Sequence, residues 1–172
     1  MTLSPHFGLQ EFTRASVGRK KFQVKLTSVG YYLAERLAHD ILEPVRVNEG
    51  RPVRVTSGAR SWAVYDAMVK DREGTNKSKP SKKSDHFYAN HVYPYGVGAV
   101  DITFHGIDPL HLIAWIMAEG IPVGQAIAYP SNRFVHLSNP RTVLFTSEVV
   151  EVLPPKARFL VWTPDTGYRN LS

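Results

Sequence analysis

An α+β fold, with a small antiparallel sheet packed by helices, is predicted by three features of the chain. Two stretches, near 28–47 and 109–117, carry apolar residues at helical spacing. Four short stretches read as strands: 53–56, 98–104, 125–129 and 133–137. The length of 172 residues fits a single domain, and there is neither an internal repeat nor a low-complexity segment.

Residues 1–26 show little periodicity. Phe7, Leu9, Phe12 and Phe22 are apolar enough to anchor them as an extended N-terminal arm. From Ser28 to Val47 the positions Tyr32, Leu33, Leu37, Ile41, Leu42 and Val45 define a core helix, which Pro44 ends or kinks. After the turn at 48–52, Val53-Arg54-Val55-Thr56 alternates as a strand and runs into Ser57-Gly58-Ala59-Arg60-Ser61. Trp62 to Lys70 can form one or two helical turns with Val64, Met68 and Val69 inward, and the polarity of 71–83 predicts a mobile loop.

In the strand 98–104, Val100, Ile102 and Phe104 share one face while Asp101 and Thr103 share the other. Asp108 and Pro109 make a helix start. Leu110, Ile113, Ala114, Ile116 and Met117 form the inward side of that helix, and Gly120 stops it. His111 has no ligand partner at suitable spacing and reads as a surface or half-buried residue, not a metal ligand. The strands 125–129 and 133–137 form a hairpin through Pro130-Ser131-Asn132, which brings His136 to the sheet. Beyond them, 141–172 offers two edge strands around 142–145 and 159–162, then a frayed tail.

Hydrophobic residues make up 43% of the chain and charged residues 21%, as in an ordinary globular protein. There is no cysteine, which excludes disulfides, thiolate metal sites and cysteine nucleophiles, so any metal must be held by His and carboxylates. No apolar run approaches the ~18 residues needed to span a membrane. The N-terminus lacks the basic and apolar regions of a signal peptide, so the expected product is made in the cytoplasm. The net charge of +6 and pI near 9.6 favour a polyanionic partner. The basic clusters Arg14, Arg19, Lys20, Lys21, Lys25 and Lys70, Arg72, Lys77, Lys79, Lys82, Lys83 are not interleaved with aromatics. They read as solvated faces, and no specific nucleic-acid site is expected.

His86, Asp101 and His136 supply a chemical possibility. Two His and one carboxylate are a ligand set that catalytic zinc sites use, leaving one position open for water.

The order of the flanking motifs strengthens this. Val53-Arg54-Val55-Thr56-Ser57-Gly58-Ala59-Arg60-Ser61, Ser84-Asp85-His86, Gly98-Ala99-Val100-Asp101-Ile102 and Phe134-Val135-His136-Leu137-Ser138 follow one another. This succession resembles the zinc D-alanyl-D-alanine carboxypeptidases and related phage peptidoglycan endopeptidases of the hedgehog/DD-peptidase fold. Their pattern reads Thr-Ser-Gly-x-Arg-Ser, Ser-x-His, Gly-x-Ala-x-Asp and Trp/Phe-Val-His. Pro5-His6-Phe7-Gly8-Leu9-Gln10-Glu11-Phe12 and Leu42-Glu43-Pro44-Val45-Arg46 also look like its phage and bacterial members, so the resemblance covers most of 5–140.

The resemblance implies zinc held by His86, Asp101 and His136, with Arg60 binding the substrate carboxylate or polarised carbonyl. It implies that Ser84 orients His86 or the substrate. The activity implied is hydrolysis of a peptide bond in peptidoglycan stem or cross-link peptides, by a polarised carbonyl and a water whose pKa falls toward ~7. Such a phage enzyme would reach the wall after lysis or inside a virion. The alternative is a catalytically weakened zinc-binding component of a phage particle, contacting virion proteins through the extension 141–172.

The chain departs from the family in three places. Nine residues, Phe87 to Tyr95, stand where the family has two, and the motif glycine is Val97, with glycines at 96 and 98 instead. His91 is therefore an alternative ligand to His86. Where the family carries an acidic base, this chain has Tyr129 and Arg133; Glu119, His91 or a residue of the insertion could substitute. The inserted Phe87, Tyr88, Tyr93 and Tyr95 could stack on a sugar–peptide substrate or pack over the site.

Overall fold

The computed structural model describes residues 1–75, 80–82, 84–88, 97–140, 143–145, 148–150 and 157–171. His91, Tyr93, Tyr95 and part of the loop expected over 71–83 lie outside the described residues.

The N-terminal segment is more structured than an extended arm. It forms α1 (Leu9–Thr13) and a hairpin of β1 (Arg14–Val17) and β2 (Lys20–Gln23). Gly18, at φ 56°, makes the tight turn between the strands. Phe7 and Phe12 are fully buried, and His6 pins the segment to the body through two 2.8 Å hydrogen bonds to the Glu43 carboxylate.

Thr27 Oγ1 accepts the Gly30 N–H and starts α2 (Ser28–Arg36), which continues through a π-helical segment (Leu37–Leu42) into α3 (Glu43–Glu49). Pro44 does not end this helix. Its ring would collide with a regular α-helical carbonyl one turn back. The widened segment just before it, where Glu43 N–H reaches back to Ala38 O, absorbs the conflict. The helix stops instead at Gly50, left-handed at φ 62°.

β3 (Arg54–Ser57) follows, then α4 (Trp62–Arg72), which the Ser61 hydroxyl caps and which runs longer than the one or two turns expected. β4 (Ala99–Thr103) leads to α5 (Pro109–Ala118), with Asp108 accepting the N–H groups of Leu110 and His111. The buried side of α5 is Pro109, Leu112, Ile113 and Ile116; Leu110, Ala114 and Met117 face outward, a correction to the predicted inward set. β5 (Gln125–Tyr129), a 3-10 turn (Pro130–Asn132) and β6 (Phe134–Ser138) form the expected hairpin. β7 (Val143–Phe145) pairs with β8 (Glu148–Val150), and β9 (Arg158–Thr163) with β10 (Gly167–Asn170).

The main sheet has six strands in the order β10-β9-β5-β6-β4-β3. It is mixed, because β9 runs parallel to β5 while every other pairing is antiparallel. The tail is thus not a pair of edge strands: β9 is internal and β10 is the edge. One face carries Val100, Ile102, Ala126, Ala128, Val135 and Leu137 into a core shared with Leu37, Ile41, Ile113 and Ile116. By the two-residue period of strands, the other face carries Asp101, Ile127, Tyr129, Phe134 and His136. Among the described residues no helix is long and apolar enough to cross a membrane.

Candidate metal centre

Strand register places the candidate ligands side by side. Asp101 on β4 is the direct cross-strand partner of His136 on β6, and Ser57 of β3 pairs with Asp101 on its other side. The Ser57-Gly58-Ala59-Arg60 turn then brings in His86 from a separate loop. The Arg60 N–H donates to His86 O at 2.8 Å, and the His86 ring Nδ1 lies 2.8 Å from Gly58 O.

This meeting of loops depends on Gly58. A Cβ there would lie 2.3 Å from Phe12 O, whose carbonyl also accepts the Ala59 N–H at 2.7 Å. Gly98 serves the same end at φ 76°, where a Cβ would press on the Tyr88 ring. The buried Tyr88 hydroxyl in turn donates to Ala99 O at 3.3 Å, so the N-terminal end of β4 is held.

The result is a buried group of His86, Asp101 and His136, whose donor atoms all lie within 4.8 Å of one another. His136 Nδ1 is 2.9 Å and His86 Nε2 is 3.3 Å from the same oxygen, Asp101 Oδ1. Tetrahedral ligands at ~2.0–2.1 Å from zinc stand about 3.3 Å apart, close to both His–Asp101 separations.

Tautomer chemistry points the same way. With its proton on Nδ1, donated to Gly58 O, His86 presents a bare lone pair on Nε2 toward a carboxylate oxygen. Two acceptors at that separation call for a cation between them. Burial, the larger influence, pushes the His86 pKa down and disfavours a proton in that role, although Asp101 opposes it. Burial likewise acts to raise the Asp101 pKa, but His86 and His136 outweigh it and hold the carboxyl below its ordinary range. The group could therefore hold a metal ion. The carbonyl behind His86 fixes the ring as outer partners of metal-binding imidazoles do.

Arg60 and Ser84 flank the group. Arg60 Nη1 donates to Ser84 Oγ at 3.1 Å, and the same oxygen lies 3.4 Å from the His86 N–H. Ser84 thereby ties the guanidinium to the loop that carries His86. Burial lowers the Arg60 pKa, partly offset by the Asp101 charge.

A cleft of about 780 Å³ opens over these residues. Its lining includes Arg60, Ser84, His86, Asp101 and His136, and also Tyr129 and Phe134, stacked 4.3 Å apart. Burial raises the Tyr129 pKa, and its hydroxyl pairs at 3.1 Å with that of Tyr168 on β10. Among the described residues the only carboxylates lining the cleft are Asp85 and Asp101. Glu119 caps the exposed end of α5, and Arg133 sits in the turn before β6 at φ 54°; neither lines the cleft. Phe87, from the insertion, is buried against Trp62 and Tyr65, as a packing residue would be.

Sequence reasoning did not foresee the contribution of Arg158, Leu160, Tyr168 and Asn170 to the cleft. The apolar run Phe159-Leu160-Val161-Trp162 is a readable strand signal, but its parallel pairing with β5 is not. No family model, curated protein or solved structure matches this chain.

Proposed function

We propose that this protein is a zinc-dependent peptidase acting on stem or cross-link peptides of peptidoglycan, a member of the hedgehog/DD-peptidase group that its motifs resemble. The observation that carries the reading is the convergence of His86, Asp101 and His136 in one buried group, with Arg60 beside it at the cleft. Zinc suits a site of two imidazoles and one carboxylate, where it would supply Lewis acidity and a water of lowered pKa. Arg60, held by Ser84, would bind a substrate carboxylate with two parallel N–H donors. The cationic surface would concentrate the protein on an acidic wall.

One observation favours a second reading, a zinc-binding structural or binding component of a phage particle. Tyr129 stands where the resembled family carries an acid, and the loss of a positioned base typically costs ~10²–10⁴ in rate.

Metal analysis should find one zinc per chain, lost in His136→Ala. Mass spectrometry of peptidoglycan incubated with zinc-loaded protein then separates the readings. Cleavage abolished by Asp101→Ala and impaired by Arg60→Ala identifies the peptidase. Intact muropeptides with folded, zinc-loaded protein identify the structural component, and absence of bound zinc overturns both.

A further inference from the structure

We infer that the C-terminal hairpin forms a second anion subsite, in which Arg158, with Gln125 and Asn170, binds a carboxylate remote from the scissile bond. This rests on the peptidase reading and narrows its substrate to a peptide with an acidic group on the side of the metal centre away from Arg60.

The sheet register sets the positions. One row across the cleft-lining face runs Asn170, Leu160, Ile127, His136, Asp101. The next row on one side pairs Arg158 with Gln125. Arg158 therefore lies two strands and two residues from His136, roughly 12 Å between backbones at ~4.8 Å per strand and ~3.3 Å per residue. That span matches about three residues of extended peptide. Arg60 follows β3, the strand at the other edge of the sheet from β10, and lines the same cleft, so the two guanidiniums approach the candidate metal ligands from different strands.

Their bonding differs in a telling way. Arg60 is held by Ser84, a built arrangement, whereas Arg158, Gln125 and Asn170 make no side-chain hydrogen bond or ion pair among the described residues. All three nevertheless line the cleft, presenting a guanidinium and two amides to its solvent. Arg60 and Arg158 line the cleft with two carboxylates, Asp85 and Asp101, and Asp101 is already engaged by His86 and His136. A bound divalent cation would add to this positive excess, so an anionic peptide fits the cleft and a cationic one does not.

The test titrates zinc-loaded protein with acetyl-D-Glu-L-Lys-D-Ala-D-Ala and its D-Gln counterpart, following binding by calorimetry and hydrolysis by mass spectrometry. The acid peptide should bind about fivefold tighter, the size of a partly solvated charge pair. Arg158→Gln should bring its affinity down to that of the amide peptide with zinc content unchanged. Arg169→Gln, on the other face of β10, should keep the preference. Preference retained in Arg158→Gln, or lost equally in Arg169→Gln, overturns the subsite. Both peptides cleaved without preference also overturns it while leaving the peptidase reading intact; neither bound nor cleaved overturns both.

Discussion

Replacing Gly58 by alanine adds one methyl group at a position whose backbone needs no glycine conformation, yet it should disturb the metal centre from outside. The new Cβ would stand 2.3 Å from Phe12 O and 2.8 Å from the Phe12 carbonyl carbon and Cα. None of these is a flexible side-chain end, and the carbonyl is held by the 2.7 Å bond from the Ala59 N–H. Either α1 or the 57–60 turn must shift, and overpacking of this kind costs ~1–3 kcal/mol. At about 2–4 °C per kcal/mol for a chain of this size, the melting temperature should fall by about 2–12 °C. The same shift moves the Gly58 carbonyl that orients His86, and disturbing such an outer partner weakens metal binding by ~10–100-fold. Competition with a fluorescent zinc chelator measures the affinity, and circular dichroism the melting. Gly50→Ala is the control, since it strains a left-handed residue with nothing within 4 Å and far from the ligands. Zinc affinity of Gly58→Ala within about twofold of wild type would refute the claim that the Gly58 carbonyl positions His86.

Two further predictions concern stability. In metal-free protein the Asp101 carboxyl, despite burial, is held below the ordinary value of 3.8 by His86 and His136. Below that value the unfolded chain binds more protons than the folded one, so the contribution is complete above about pH 4 and declines as the pH falls further. Denaturant midpoints should therefore show the gap between wild type and Asp101→Asn closing below about pH 4; a gap constant across that range contradicts the depressed pKa. Asn139, buried behind the hairpin, donates to Leu33 O at 2.8 Å and Val97 O at 2.9 Å. Asn139→Ala leaves Val97 O without this donor and Leu33 O with only its helical bond from the Leu37 N–H, and should cost about 1–3 kcal/mol in urea unfolding, whereas a loss under about 0.5 kcal/mol would mean water replaces the amide.

Local chemistry explains why some elements were legible. Asp108-Pro109 announces α5 because a side-chain acceptor and a fixed φ act within one turn. The period-two alternation of 98–104 separates Asp101 from Val100 and Ile102 without reference to any other strand. Misreadings arose where a neighbour decided. Periodicity within 109–117 favours Leu110 and Met117 as inward residues, but packing against the sheet buries Leu112 and leaves those two exposed. Pro44 reads as a stop or a kink, and the helix, with Leu42 and Val45 in the core, continues past it by widening the preceding turn. Glu119 was a candidate base by composition, and only its place at the exposed end of α5 removes it from the cleft.

By itself, the sequence determined the residue types that any metal site here must use, the strand faces of Asp101 and His136, the cap of α5 and the absence of cysteine. Those are local facts, set by chemistry within a few residues. Tertiary structure alone decided that Gly58 O locks the His86 tautomer, that Ser84 holds Arg60 beside the ligands, and that β9 joins β5 in parallel to bring Arg158 into the cleft. Each of those contacts joins residues 24 or more positions apart. Their geometry follows from how loops close and strands pair, which no periodicity within a segment encodes.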